Sequence, residues 1–358
     1  MSINLRMKTD TNPHQSPTDK QTSPADTFVR VGPLMSVPGL LCKFGCSPEQ
    51  ILGDAGLSLT QFEDPDTKIS FLAGSNMLAC CVVATGCQHF GLLMGKHAGS
   101  SSLGLAGFIL RFAPNVGAAL QALLCHLELH DQGGVPVLTT RGEDSSLGYA
   151  IHLSGVEAAD TVYDLSTAMA CNIMRDLCGQ NWNPTQVLLA RRRPSDLTPY
   201  KRFFRAPLRF EAEQNAVAFP THLLDHPLTS ADPALFRHLE NEANKLHDRH
   251  PLNTTRLVHR FLRQSLANRH FAAGDIAKQL SMHERTLHRH LEKEGTSFRS
   301  ELEGIRYEVA RQLLSTSKTP LSGIANALGY SDPSTFVRSF KRWSGTTPAK
   351  WRTLNAAP

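Results

Sequence analysis

The chain has 358 residues, 41% hydrophobic and 19% charged, the composition of a soluble globular protein of two or three domains. No run of 18 apolar residues occurs, so a membrane-spanning helix is not expected. The formal charge of +5 divides unevenly: from Pro251 onward 17 Lys/Arg face 8 Asp/Glu, or +9, while the first 250 residues carry 20 against 24, or −4. A basic C-terminal third on a mildly acidic body points to a module that binds a polyanion.

Residues 1–27 are polar and rich in Pro, Ser and Thr, with no apolar core of a signal peptide. They predict a disordered tail on a cytoplasmic protein. From Phe28 to Leu228 the pattern is mixed. CSPEQILGDAGL predicts a helix with Ser47 as N-cap and Pro48 at its first position. ISFLAGSNMLACCVVATG and SSLGLAGFILRFA are rich in small residues and predict helices. In NVGAALQALLCHLELH, Ala119, Leu120, Leu123, Leu124 and Leu127 recur at helical spacing up to DQGG. VPVLTTRGEDSSLGYAIHL reads as two strands around a charged turn. TVYDLSTAMACNIMRDLCG is a helix stopped by Gly179. TQVLLARRRP and LRFEAEQNAVAFP read as strands, the latter a pair turning at Glu213–Asn215. The expected fold of residues 28–228 is α+β with antiparallel strands. Residues 229–251 carry one helix, ADPALFRHLENEANKLHDRH, broken at Pro251, and read as a connection.

From Leu252 the pattern becomes all-α and contains an internal repeat. IAKQLSMHERTLHRHL (276–291) aligns with IANALGYSDPSTFVRSF (324–340). Ile276 and Leu280 match Ile324 and Leu328; Leu287, Arg289 and Leu291 match Phe336, Arg338 and Phe340. Each copy fits a helix–turn–helix whose second helix starts from a capping residue. Around that helix, with Arg285 at zero, Leu287 and Leu291 fall near ~200° and ~240°, and His288 and Arg289 near ~300° and ~40°. The leucines therefore face the first helix, and Arg285, His288 and Arg289 share the other side. In the second copy Phe336 and Phe340 face inward, while Ser334, Val337, Arg338 and Lys341 face outward. An apolar inner stripe with an arginine-bearing outer stripe suits insertion in a DNA major groove. FRSELEGIRYEVARQLL links the copies, with Leu302, Ile305, Val309 and Leu313 stepping by three and four.

The same stretch contains H-E-x-x-x-H, from His283 to His288. The zinc-binding form is one residue shorter, because ligands at i and i+4 lie ~40° apart on a helix. At i and i+5 the two rings lie ~140° apart and cannot close on one ion. The extra residue places His288 beside Arg285 and Arg289, and Glu284 suits the N-terminal dipole.

The region Leu252–Leu354 resembles the DNA-binding domain of AraC/XylS regulators, on ERTLHRHLEKEGTSFRSELEGIRYEVARQLL and above all PLSGIANALGYSDPSTFVRSFKRWSGTTPAKWR. The resemblance implies two helix–turn–helix motifs joined by a linker helix. It implies base reading by Arg285, His288, Arg289, Ser334, Thr335 and Arg338, and phosphate contacts from Thr286, Lys341 and Arg342. Pro333 and Val337 leave the second reading helix few hydrogen-bonding groups, so the first motif is expected to discriminate more. QHFGLLMGKHA, LGLAGFILRFAPNVGAALQALL and YKRFFRAPLRFEAEQNAVAFP resemble the N-terminal effector domain of the AraC subgroup labelled arabinose-binding. That resemblance implies a small-molecule effector of unnamed class and dimerisation. The expected partners are double-stranded promoter DNA, an effector, a second copy of the chain and, for an activator, RNA polymerase.

Other sites weigh less. CHLELHD places His126 and His130 at i and i+4, a metal-ligand spacing that also suits a helix C-terminal dipole. The basic run LARRRPSD (189–196) reads as an anion site or, more simply, a solvated loop. The eight cysteines form no C-x-x-C and sit mostly among apolar residues, which reads as reduced, buried small side chains rather than a repair-type zinc cluster or a nucleophile. No catalytic residue, metal or cofactor is expected. The alternative is a regulator whose N-terminal domain only oligomerises, or a repressor.

Overall fold

The computed structural model describes residues 27–151, 153, 155–249, 254, 255, 258, 259, 261, 262, 272–279, 282–316 and 319–355. The predicted tail up to Asp26, the break at Pro251 and Leu280 lie outside the described residues.

β1 (Phe28–Arg30) pairs antiparallel with β2 (Lys68–Ser70), Val29 facing Ile69. Between them lie α1 (Val37–Lys43) and α2 (Pro48–Asp54). Ser47 caps α2 by accepting the Gln50 N–H at 3.4 Å, with Pro48 at the first helical position. α3 (Phe71–Thr85) follows β2 directly and stops at Gly86, whose φ of 63° favours glycine.

The core of this half is built by α4 (Phe90–Gly95), α5 (Leu105–Phe112), α6 (Val116–His126) and α7 (Ala159–Cys178). A Cβ on Gly91 would lie 2.1 Å from the Thr161 carbonyl oxygen, and one on Gly95 2.4 Å from the Ala168 Cβ. The two glycines, four apart, share the face of α4 that meets α7. This close approach leaves Phe90, Leu92 and Met94 with no exposed surface. α6 is shorter than its apolar pattern predicts: it ends at His126, and Leu127–Leu129 form a single 3-10 turn. The tighter turn brings the chain back to β1, where the Arg30 N–H donates to the His130 carbonyl at 2.9 Å and Asp131 bridges Val29.

β3 (Gly134–Arg141) and β4 (Asp144–Ile151) form the expected hairpin, Arg141 facing Asp144. β5 (Gln186–Leu188), α8 (Thr198–Phe204), β6 (Leu208–Arg209) and β7 (Ala216–Pro220) complete a sheet of order β3-β4-β7-β5-β6. The expected pair turning at Glu213–Asn215 is not formed. β7 inserts antiparallel between β4 and β5, and β6 runs parallel to β5. Parallel pairing needs a crossover, which α8 supplies. Asn215 fixes the alternative path by accepting the Ala190 N–H at 2.9 Å.

α9 (Pro233–Arg249) docks on the same half, with Ala243 fully buried against Ile109 and Ala122. The C-terminal part is all-α: α10 (Ala273–Gln279), α11 (Glu284–Lys293), α12 (Phe298–Thr316), α13 (Leu321–Ala327), α14 (Pro333–Ser344) and α15 (Pro348–Asn355). Among the described residues it holds two small cores. Ile276, Leu287, Leu291 and Ile305 belong to the first; Ile324, Leu328, Phe336 and Phe340 belong to the second. Helix α12 serves both, and its Val309 packs against each.

Candidate nucleic-acid interface

The first motif is α10 followed by α11. Leu287 and Leu291 are fully buried, as are Ile276 and Ala277 to within 1% exposure, so the inner stripe is where the wheel puts it. Arg285 and Arg289 are exposed on the other side, and Thr286 and His288 are half-buried. The His288 Nε2 lies 3.6 Å from the Glu284 carboxylate, and its ring meets Phe298 edge-on at 6.4 Å. Glu284 and Phe298 thus orient the imidazole toward the start of α12. His283 occupies the N-cap position with extended backbone, yet its side chain makes no capping hydrogen bond. Helix α11 therefore starts without the side-chain cap that the repeat leads one to expect.

The second motif is α13 and α14, with Ile324, Leu328, Phe336 and Phe340 fully buried. Asp332 caps α14. Its carboxylate accepts the N–H groups of Ser334 at 3.2 Å and Thr335 at 3.1 Å, together with both hydroxyls. These bonds, led by that from the Ser334 hydroxyl, hold the Asp332 carboxyl down at about 2. The Thr335 hydroxyl in turn accepts from the Arg338 guanidinium at 3.1 Å. Ser334, Thr335 and Arg338 are thus brought together, but the two hydroxyls already serve the cap. Val337, expected outside, is half-buried against the second core.

Arg338, Lys341 and Arg342 are exposed. Arg342 pairs with Glu303 of α12 at 2.8 Å, and Glu303 also accepts the Trp343 indole N–H at 3.3 Å and meets Arg299 at 3.3 Å. Partial burial opposes ionisation of Glu303, but these donors outweigh it and hold its carboxyl below the usual range. Glu303 therefore anchors α14 to the linking helix. Asp332 and Glu303 were not among the expected site residues. Asp332 had a signal in S-D-P-S-T, an N-cap acid before proline at the first helical position. Glu303 had none, because its partners on α14, Arg342 and Trp343, lie about 40 residues downstream.

The N-terminal candidates resolve differently. Arg191 of the run 189–196 is not solvated: its guanidinium lies 2.5 Å from the fully buried Asp164 carboxylate and 3.0 Å from the Tyr200 hydroxyl. Burial pushes the Asp164 carboxyl up to about 6, against the pull of Arg191. His126 and His130 are both buried, and among the described residues no group of three or more His, Cys, Asp or Glu converges as metal ligands would. No described helix is long and apolar enough to cross a membrane.

Comparison with known proteins now adds the family. The model of the N-terminal arabinose-binding domain of AraC transcription regulators matches residues 45–228, and a helix-turn-helix domain model matches residues 276–353. The chain belongs to the AraC family of transcription regulators. This regulator is 26% identical over 325 residues to the ornithine utilization regulator of Pseudomonas aeruginosa, covering 87% of the chain and 93% of that protein. It is 29% identical over 274 residues to the regulator VqsM of the same species, covering 73% and 83%. Among solved structures it resembles the transcriptional regulator CdpR from Pseudomonas aeruginosa, at 23% identity and a TM-score of 0.43 over 85% of the chain and 97% of that one. As a family member with this helix-turn-helix domain, the protein is a DNA-binding transcription regulator.

Proposed function

We propose that this regulator is an effector-responsive activator that reads promoter DNA with α11 and α14 together. The observation that carries the reading is the pair of motifs on one shared helix, each with a buried apolar inner face and an arginine on the outer face. α12 has 19 residues and is therefore ~28 Å long. That length is of the order of the ~34 Å between successive major grooves on one side of a duplex. Arg285, His288 and Arg289 read bases in the first groove, and Ser334, Thr335 and Arg338 in the second. Thr286, Lys341 and Arg342 hold phosphates, Arg342 after exchanging Glu303 for DNA. The cap network supports a division of labour: Arg338 projects from a hydroxyl already fixed by Asp332, so the second motif presents one oriented guanidinium, while α11 presents two exposed arginines.

In this reading residues 28–228 sense the effector, 229–251 connect and 252–354 bind DNA. α9 supports the connection, since Ala243 is buried against α5 and α6. Effector binding shifts the population toward arrangements in which both reading helices engage. The protein acts in the cytoplasm, with a second copy and RNA polymerase as protein partners, and needs no catalytic group. Footprinting on the promoters of its own gene and neighbouring genes tests this. Arg289→Ala and Arg338→Ala should each cost ~1–3 kcal/mol at the protected site. Wild-type affinity for specific and random DNA in both variants would exclude the assigned faces.

A further inference from the structure

The N-terminal half holds a cavity of about 100 Å³, open on one side, where β1, α3, α6, the β3–β4 hairpin and α7 meet. Its wall is apolar, with Phe71, Leu78, Leu123, Leu165 and Met169 among the lining side chains. Its polar edge is His130, Asp131 and Tyr149. We propose that this cavity binds a small uncharged molecule with an apolar body and one hydrogen-bonding group, and that the Nδ1 of His130 meets that group. The proposal rests on the reading of residues 28–228 as the sensing part, and it names the site and ligand class within it.

The ligand class follows from which polar atoms are already engaged. The Asp131 carboxylate is buried and engaged at both oxygens: it accepts the Gly133 N–H at 2.7 Å and the Tyr149 hydroxyl at 2.5 Å. Burial pushes this carboxyl up to about 6, and the bonds from Tyr149, Gly133 and Gly134 offset only part of that. Each of its two oxygens thus already accepts a hydrogen bond, and a cationic ligand would have to compete with Gly133 and Tyr149 for them. His130 is 3% exposed, and burial with Arg30 nearby pushes its imidazole down to about 3, so it stays neutral and gives an anion no charge to pair with. The two serines on the lining are in use as well: the Ser75 hydroxyl accepts the Ala158 N–H at 3.4 Å, and that of Ser166 donates to the Tyr163 carbonyl at 3.1 Å. The Nδ1 of His130 meets no hydrogen-bond partner among the described residues. A buried polar atom left in that state on an apolar cavity is costly and favours a ligand that satisfies it.

Size narrows the class further. An apolar cavity of ~150 Å³ holds a benzene ring, so this one, at about 100 Å³ and open on one side, takes most of a small ring and leaves the remainder toward its open side. Its placement suits a signal. Leu123 and Leu127 border it at the end of α6, while Ala122 on the same helix packs with the α9 residue Ala243. His130 also ties that end of α6 to β1 through its backbone.

The test uses the full chain and four probes on one ring: cyclopentanol, methylcyclopentane, cyclopentylamine and cyclopentanecarboxylate, titrated by ligand-observed saturation-transfer NMR near neutral pH. Cyclopentanol should bind about fivefold more tightly than methylcyclopentane, in line with one net hydrogen bond. Both charged probes should bind at least about tenfold more weakly than cyclopentanol. His130→Leu should erase the preference for the alcohol while keeping methylcyclopentane, His130→Asn should retain it, and Ala170→Leu should exclude both by filling the space. The proposal fails if a charged probe binds best, if no probe saturates below about 10 mM, or if the alcohol preference survives in His130→Leu. Should His130→Leu lose its cooperative melt, Ala170→Leu decides: a folded variant that still binds cyclopentanol overturns the site. A promoter footprint that persists when no probe binds leaves DNA binding standing and removes the cavity. Probe binding with no change in footprint leaves the cavity standing and removes the sensing role.

Discussion

Phe340→Ala is the sharpest probe of how the second motif holds together. Phe340 has no exposed surface, and its ring meets Tyr307 at 5.6 Å, Phe336 at 5.9 Å and Trp351 at 6.1 Å. Phe→Ala in a packed core costs ~3–5 kcal/mol. Each lost ring pair adds ~0.5–1.5 kcal/mol beyond burial, so three pairs put the expected loss at the upper end, ~5 kcal/mol. The second core is small, with Ala310, Leu314, Ile324, Ala325, Leu328 and Phe336 as its other fully buried members, and has little stability to spare. Of the three tryptophans, Trp343 and Trp351 sit against this core, while Trp182 packs in the N-terminal half. A Trp182→Phe background therefore makes fluorescence a reporter of the second motif alone. With a urea slope near ~1 kcal/mol/M for so small a unit, the midpoint should fall by several molar, and the motif should be unfolded without denaturant. Hydrogen exchange in α3 and α7 should stay at wild-type protection. A loss below ~1.5 kcal/mol, or a parallel loss of protection in α7, would refute the picture of a separate aromatic core.

Three further outcomes are expected. Arg191→Met should cost ~3–5 kcal/mol, because it strands the buried Asp164 carboxylate, whereas Asp164→Leu with Arg191→Met should recover much of that, short of wild type by the Tyr200 hydroxyl it leaves unpaired; urea unfolding of all four chains of the cycle measures this, and a mild single variant would mean the pair is solvated. The neutral His130 ring contributes stability that is whole above pH ~6.5 and is lost by ~1.4 kcal/mol per unit as pH falls toward its folded value of about 3, since the unfolded chain takes the proton first. His130→Asn should thus gain ~2 kcal/mol on wild type between pH 7 and pH 5, and a flat difference would mean the imidazole is charged in the fold. Gly95→Ala puts a methyl against the Ala168 Cβ and should cost ~1–3 kcal/mol, with Ala168→Gly restoring much of it; no recovery in the double variant's thermal melt would show that α4 meets α7 elsewhere.

The C-terminal architecture was legible because its signals are local. Leu287 and Leu291, or Phe336 and Phe340, stand four apart on one helix, and their burial follows from periodicity alone. Ser47–Pro48 and Gly179 likewise announced a start and a stop. What escaped reading depended on partners distant in sequence. Nothing near Ala216–Pro220 says that β4 and β5 will flank it, and a two-residue strand at Leu208–Arg209 carries too little pattern to reveal a parallel partner. Arg191 looked solvated because Asp164, 27 residues earlier, reads as one more polar position on a helix. Gly91 and Gly95 carried no reading in the sequence, and only the position of Thr161 and Ala168 shows why side chains are excluded there. Among the site residues, the arginine faces were readable from the wheel, whereas the use of the Ser334 and Thr335 hydroxyls by Asp332 became evident only from geometry.

The shared helix α12 also sets the phase between the two motifs. Each residue inserted between Ile305 and Ala310 would turn the second motif by ~100° and shift it by ~1.5 Å. Seven residues nearly restore the facing, with an advance of ~10.5 Å, close to three base pairs. Over three base pairs, however, the groove itself rotates by roughly a third of its ~10-base-pair turn. If α11 and α14 read DNA as proposed, such an insertion changes the length without restoring the facing, and α12 sets the spacing between the two half-sites. On that reading a new operator would come from changed side chains on α11 and α14 rather than from a short stretch of the ruler that holds them.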